Sequence, residues 1–321
     1  MLLEPASPSA PRDDPAAQSA TAAEPAAALA ALVEFAVRHP RLFVLTGAGC
    51  STASGIPDYR DANGEWKRPQ PVTYQAFMGD AYTRQRYWAR SLVGWQVMGH
   101  ARPAAAHHAL AELERQGRVE LLVTQNVDGL HDAAGSRRTV DLHGRIDTVR
   151  CMACERRFPR ADLQQMLLQR NPAWGALQAR VAPDGDADLE GLDFAAFDVP
   201  PCPFCHTGML KPDVVFFGES VPRERVQAAR DAVARADAVL VAGSSLMVYS
   251  GFRFVQAAVD AGKPVAAVNQ GRTRADELLA LKVAGDVGEV LAALALALGH
   301  GGGSAMAGDH TGQREGGPPP A

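Results

Sequence analysis

Long hydrophobic runs are missing from this chain. No stretch of about 18 apolar residues occurs, so no segment is expected to cross a bilayer as a helix. The first residues lack the basic start and continuous apolar segment of a secretory leader; residues 1 to 23 are mostly Ala, Pro and Ser, with acidic Asp13 and Asp14. A cytoplasmic protein is therefore expected. An excess of one charge is missing too. Lys and Arg number 32 against 36 Asp and Glu, a formal net charge of -4, so neither nucleic acid nor a membrane is expected as a partner. Cysteine is scarce, and four of the five stand in C-x-x-C pairs, which in the cytoplasm point to metal before disulfides. With 47% hydrophobic residues the chain can build a core, and 321 residues favour one large domain plus a smaller one. Neither end carries an apolar period. Residues 1–24 read as a disordered lead and 299–321 as a disordered tail.

The stretch RLFVLTGAGCSTASGIPDYR, residues 41 to 60, also lacks something: the G-x-G-x-x-G spacing, because its third glycine is Gly55. Leu42 to Leu45 nevertheless read as a buried strand running into Gly47, Ala48 and Gly49. Glycines after a strand let the backbone approach an anionic ligand, and free N–H groups there can face a pyrophosphate. A plain tight turn fits the same residues. Asp58, Tyr59 and Arg60 set a carboxylate, a ring and a guanidinium beside the turn.

Pro25 opens a helical pattern with Leu29, Leu32, Val33, Ala36 and Val37 on one face, stopped by His39-Pro40. Residues 62 to 103 are rich in aromatics, among them Trp66, Tyr87 and Trp88, and predict a helical excursion whose rings mainly pack a core. Helix 104–116 then precedes strand Val119 to Val123, which delivers TQNVDGLH. A short strand around Thr139 to Leu142 delivers His143-Gly144. Helix 222–235 precedes strand Ala238 to Ala242, which delivers Gly243-Ser244-Ser245. Helix 251–261 precedes strand Val265 to Val268, which delivers Asn269-Gln270-Gly271, and a last helix covers 287–298. Strands alternating with helices, each ending in small or polar residues, predict an α/β fold with a Rossmann-like parallel sheet. The carboxyl ends of such strands share one rim, where a nucleotide-sized ligand binds.

Cys151 and Cys154 form one C-x-x-C knuckle, Cys202 and Cys205 another. Four thiolates close a tetrahedral zinc shell with no position open to substrate, so a structural zinc is expected. The intervening segment 159–200 carries Asp184, Asp186, Asp188, Glu190, Asp193 and Asp198, read as a solvated loop. Cys50, inside the glycine turn, reads as a small filler, with a redox-sensitive thiol as the alternative. His107, His108 and His131 lie in helical contexts and read as structural.

GAGCSTASGIPDYR, TQNVDGLH, His143-Gly144, the two C-x-x-C pairs, KPDVVFFGE at 211–219, GSS at 243 and NQG at 269 occur together and in this order. The chain resembles the sirtuins, NAD-dependent protein lysine deacylases, over roughly residues 28 to 297. TRQRYWARSLVGWQ and TQNVDGLHDAAGSRR resemble the class II branch, which includes a mitochondrial sirtuin and many bacterial relatives.

The resemblance implies a Rossmann-like NAD-binding domain from 25–61, 104–145 and 208–298, and a smaller zinc-binding and helical domain from 62–103 and 146–207. NAD and substrate would meet between them. Gly47, Ala48 and Gly49 would contact the pyrophosphate, with Asp58, Tyr59 and Arg60 beside the phosphates and ribose. Gln125, Asn126 and Val127 would hold the nicotinamide ribose, and Asp128 the carboxamide. Gly243, Ser244, Ser245, Asn269, Gln270 and Gly271 would hold the adenosine half, with Val287 at the adenine edge. His143 would be the general base, drawing a proton from a ribose hydroxyl after the acyl oxygen has attacked the anomeric carbon. Free lysine, nicotinamide and O-acyl-ADP-ribose would result. The partners implied are acylated lysine side chains of proteins, entering as a strand between Val214–Glu219 and Ser245–Tyr249, with Val215 and Phe216 flanking the acyl chain.

The Tyr and Arg with which some sirtuins bind acidic acyl groups align near Ser91 and Gly94, where they are missing; Tyr87 and Arg90 have the right spacing one turn earlier. ADP-ribosyl transfer and lipoamidase-type deacylation remain alternatives. So does a non-catalytic NAD or ADP-ribose binding module, in which His143 has no role. A zinc-ribbon nucleic-acid adaptor would need a basic stripe, and Arg150, Arg156, Arg157 and Arg160 are the only local cluster.

Overall fold

The structure is a computed structural model that describes residues 15–67, 71–177, 187, 189 and 191–301. In chain order its elements are α1 (Pro15–Arg38), β1 (Leu42–Thr46), α2 (Tyr74–Gly79), α3 (Ala81–Met98), α4 (Ala105–Arg115) and β2 (Val119–Thr124). Next come α5 (Leu130–Ala134), β3 (Thr139–Asp141), β4 (Gly144–Cys151), β5 (Arg157–Pro159), α6 (Arg160–Arg170) and β6 (Leu210–Val214). The last are α7 (Arg223–Arg235), β7 (Ala238–Ala242), α8 (Tyr249–Asp260), β8 (Val265–Val268), β9 (Leu281–Val283) and α9 (Val287–Gly301).

Six strands form a parallel sheet in the order β3-β2-β1-β7-β8-β9. The side-chain period of two divides its residues between two faces. Leu42, Val44, Leu122, Leu240 and Val268 pack under α1, α4 and α9, while Phe43, Leu45, Val123, Val239, Val241 and Val265 pack under α7 and α8. All residues of β1 and β7 are buried, as expected for central parallel strands covered on both sides. From β1 the chain first builds outward through β2 and β3, then returns to lay β7 on the other flank. That reversal is a topological switch point, and the crevice it opens lies beyond the carboxyl ends of β1 and β7.

The five strands read from the sequence all join this sheet. The sixth, β9, was not foreseen because three residues, LKV, are too short to display an alternation. The second sheet was not foreseen either. It is antiparallel, ordered β5-β4-β6, with Cys151 opposite Leu210 and Gly144 opposite Val214. Around it a separate core gathers Phe77, Tyr87, Trp88 and Leu92 of α2 and α3 with Val149, Phe158, Leu163, Leu167, Phe194 and Phe197.

The segment 159–200 is therefore more than a solvated loop: α6 buries Leu163 and Leu167, and Arg160 is fully buried with its guanidinium 5.4 Å from the Trp88 ring and 5.0 Å from that of Trp95. Asp184, Asp186, Asp188 and Glu190 lie outside the described residues. Asp198 pairs with Arg170 at 2.8 Å.

Helix α1 begins at Pro15 rather than Pro25, so the part of the expected lead from 15 to 24 is helical; the alanine-rich stretch before Pro25 has high intrinsic helicity. Its buried face also turns slightly, covering Phe35 and leaving Val37 exposed. Helix α9 runs on to Gly301; the remainder of the expected tail, and residues 1–14, lie outside the described residues. Among the described residues no helix is long and apolar enough to cross a membrane.

Candidate active site

His143 stands where the chain leaves one sheet for the other. β3 ends at Asp141 in the parallel sheet, β4 begins at Gly144 in the small one, and the residue between Leu142 and Gly144 faces the space between them. Gly144 takes φ +82°, and a Cβ there would sit 2.0 Å from the Asp213 carbonyl oxygen, so the crossing needs glycine. The His143 Nδ1 lies 2.9 Å from the Gln125 carbonyl. A carbonyl only accepts, so Nδ1 carries the proton and Nε2 is left with its lone pair, taking the Ser250 hydroxyl at 2.7 Å. Burial pushes the ring down to about 4; the Gln125 bond opposes this, and Arg253 and Arg225 add to it. At neutral pH the imidazole is an uncharged acceptor.

A cleft of about 1060 Å³ opens beside it. Every strand end of the large sheet picked out by sequence reaches this space: Gly47, Ala48 and Gly49 after β1, Gln125, Asn126 and Val127 after β2, Gly243, Ser244 and Ser245 after β7, and Asn269, Gln270 and Gly271 after β8. Asp58, Tyr59, Arg60, Val215, Phe216 and Val287 line it as well.

The glycines act differently from the simple expectation. A Cβ on Gly47 would lie 2.8 Å from Cβ of Ser244, and one on Gly49 would lie 2.8 Å from Cα of Gly243. Their small size lets two strand-end loops close on each other. The Gly47 and Gly49 amides are also taken, donating to the carbonyls of Ala242 and Gly243 at 3.2 and 2.8 Å. Gln125 donates to the Ser244 hydroxyl at 2.8 Å, and Asn126 to the Gly47 carbonyl at 3.1 Å. Arg60 lies over Trp66, 4.0 Å from the ring centroid, and donates to the Gly64 carbonyl. Asp58 pairs with Lys67.

Asp128 is the predicted cofactor residue that does not line the cleft. Its carboxylate accepts from the Ser51 hydroxyl at 2.7 Å and from the Leu130 amide, two residues on at the start of α5, at 2.9 Å. Behind it lies a buried cluster that sequence reasoning took as structural. The rings of His107 and His131 are 4.8 Å apart, His131 meets the Thr46 hydroxyl at 2.9 Å, and the Ser51 hydroxyl lies 3.4 Å from His107 and 3.0 Å from the Asn126 amide. Burial pushes His131 down to about 3. Ser51 lay inside the recognised glycine motif, whereas nothing in the sequence ties Ser250 to a histidine so far from it in the chain.

Away from the cleft, the sulfurs of Cys151, Cys154, Cys202 and Cys205 all lie within 4.8 Å of one another, with Cys151 to Cys205 at 3.7 Å and Cys154 to Cys202 at 3.8 Å. A tetrahedron with Zn–S bonds of about 2.3 Å places its sulfurs about 3.8 Å apart, so the set fits zinc and leaves no open position. The neighbouring arginines form no basic stripe: Arg150 pairs with Glu155, Arg157 with Asp213, and Arg160 is buried. Cys50 is buried, its thiol pushed up to about 12 by that burial, which makes it a filler and not a reactive thiol.

Tyr87 lines the cleft within a ring cluster with Phe77 and Phe216, at 5.3 and 5.4 Å. Arg90, one turn on, donates from Nε to the Ala187 carbonyl at 2.8 Å.

Comparison with known proteins agrees with this arrangement. A protein from Xanthomonas campestris named NAD-dependent protein deacetylase is 67% identical over 264 residues, covering 82% of this chain and 90% of the relative. One of the same name from Bordetella bronchiseptica is 66% identical, covering 82% of this chain and 96% of that protein. Among solved structures, a Sir2 complex with a p53 peptide and NAD+ matches with a TM-score of 0.66 at 28% identity, over 85% of this chain and 97% of that one. The Sir2 family profile matches residues 47–250, and the chain belongs to the Sir2 family.

Proposed function

We propose that this protein is an NAD-dependent protein lysine deacetylase whose reaction centres on His143. The carrying observation is the position of that ring: a neutral acceptor at the seam of two sheets, on the wall of a cleft lined by the loops after β1, β2, β7 and β8. The 67% identity to a protein named for this activity supports the same reading.

NAD fits what lines the cleft. The amides of Gly47 and Gly49 are already spent, so the loop offers a fixed shape with Ala48 at its tip, and Arg60 supplies positive charge for a diphosphate. Gln125 and Asn126, each locked by a second bond to a neighbouring loop, would hold the nicotinamide ribose. Asp128 would act from behind them, through Ser51, Asn126 and the start of α5. Ser244, Ser245, Asn269, Gln270 and Gly271 would hold the adenosine half, with Val287 at its edge. When bound, NAD supplies an electron-poor carbon once nicotinamide departs. His143 Nε2 is free to take a hydroxyl proton as soon as Ser250 releases it, and its Nδ1 bond to Gln125 keeps the ring in that tautomer. Val215 and Phe216 would exclude water around the acyl group.

The small module would hold one structural zinc through its four cysteines. The two modules would be those read from the sequence, 25–61 with 104–145 and 208–298, and 62–103 with 146–207, each around its own core. The substrates would be acylated lysines of proteins, acted on in the cytoplasm.

The test is nicotinamide release by the purified protein with NAD, with and without an acetyl-lysine peptide. Peptide-dependent release together with deacetylated peptide, both lost in His143→Ala by at least about a hundredfold, is the expected result. NAD binding without turnover on any acyl peptide would favour a binding module. Label passing from NAD to protein would favour ADP-ribosyl transfer.

A further inference from the structure

On the substrate side of the cleft the charge is one-sided. Arg223, Val226, Gln227 and Arg230 recur at i, i+3, i+4 and i+7 on α7, and all four line the cleft, so one helix face presents two guanidiniums to it. Arg253 lines it from α8, which packs beside α7, one turn beyond Tyr249, and its Nε is buried without a hydrogen-bond partner. None of the three arginines forms an ion pair among the described residues, whereas nearby Arg235 pairs with Glu120 and Lys211 with Glu219.

The carboxylates of the cleft are otherwise engaged. Glu219 accepts from Lys211 and from the Phe216 amide, both at 2.9 Å; Asp58 pairs with Lys67; Asp61 accepts the Asn63 and Glu65 amides; Asp286 accepts the Glu289 amide. A chain with a net charge of -4 thus concentrates unpaired cations on one wall. A buried donor left unsatisfied is costly, which favours an acceptor brought by a ligand.

We infer that Arg223, Arg230 and Arg253 select protein substrates with acidic side chains beside the acylated lysine. This rests on the deacetylase reading, which places the substrate backbone between Val214–Glu219 and the stretch ending at Tyr249. The guanidiniums sit along that track: Arg223 opens α7 four residues after Glu219, and Arg253 flanks the exposed Tyr249 ring at 5.7 Å, with Arg274 also near it at 5.9 Å. Arg223 and Arg230 on α7 are therefore placed for residues flanking the lysine. Arg90, one helical turn from Tyr87 at the acyl side, is directed at the Ala187 carbonyl.

The experiment compares kcat/KM of the full chain, with saturating NAD, on acetyl-lysine peptides with acidic, neutral or basic flanks, and on a neutral-flanked succinyl-lysine peptide. Exposed guanidinium–carboxylate contacts are individually weak, so the acidic peptide is expected to exceed the neutral one by about tenfold, with the basic one lowest. Raising salt from about 0.05 to about 0.5 M should shrink that ratio, because these contacts are screened. In Arg223→Gln/Arg230→Gln the acidic-to-neutral ratio should fall towards one; the wild-type series alone carries the result if that variant does not fold. Equal turnover of all three acetyl peptides overturns this inference and leaves the deacetylase reading intact. So does a gain that follows the succinyl group instead of the flanks. No turnover of any peptide overturns both.

Discussion

A histidine whose Nδ1 hydrogen is held by a carbonyl can present only Nε2 as a base, and at His143 that constraint comes from Gln125 of the neighbouring strand end. The sequence placed His143 after a strand and named it by motif, but its tautomer, its Ser250 partner and its depressed proton affinity depend on contacts far apart in the chain. The same holds for His107 and His131. Read as structural, they form a buried pair behind Ser51 and Asp128.

A pH dependence follows from these rings. Unfolded histidines protonate near 6.5, whereas His143 holds off to about 4 and His131 to about 3, so between those values the unfolded chain binds more protons. Stability should therefore fall as pH drops from about 7 towards 4, seen as a declining Tm. Replacing His131→Gln should flatten that decline. For the reaction, the acid limb of kcat/KM should lie near pH 4 to 5 and not at the ordinary histidine value; a limb near 6.5 would mean that His143 is not buried as described.

The central strands were legible because burial on both faces writes LFVL, AVLVA and VAAV as continuous apolar runs, and β2 departs from this only at Glu120 near its start, in VELLV. β4 and β6 were not, since charged residues interrupt both and Pro212 stands within β6. Helix α6 has little apolar period of its own and is stabilised by Leu163 and Leu167 against α3 and the small sheet.

The loops between these elements carry their own constraint. Gly243 takes φ +60°, and a Cβ there would sit 2.6 Å from the Cys50 amide nitrogen. Gly243→Ala should cost about 2 kcal/mol or more, read from denaturant unfolding. It should also raise the KM for NAD, because the β1 and β7 loops that it joins frame the cleft.

The molecule divides its stability between unlike sources. The large sheet rests on two apolar layers, the small one on a modest core plus four cysteines whose sulfurs already have zinc spacing. The protein should contain about one zinc per chain, lost in Cys202→Ser or on treatment with a strong chelator. Hydrogen exchange should then accelerate across β4, β5, β6 and α6 while β1 and β7 stay protected, and deacetylation should fall because β4 and β6 frame His143. Uniform loss of protection across both sheets would contradict this independence.

By itself the sequence determined the fold class, five of the six parallel strands and the strand-end residues that reach the cleft, because hydrophobic period and strand-end chemistry are local and survive in one dimension. Only the tertiary structure decided that Asp128 stands behind the cleft, that the glycine amides are already spent, that the acidic segment hides a helix, and that three arginines without an ion pair among the described residues share one wall. Those facts arise from contacts between residues distant in the chain, and no periodicity records which donor finds which acceptor once the two sheets meet.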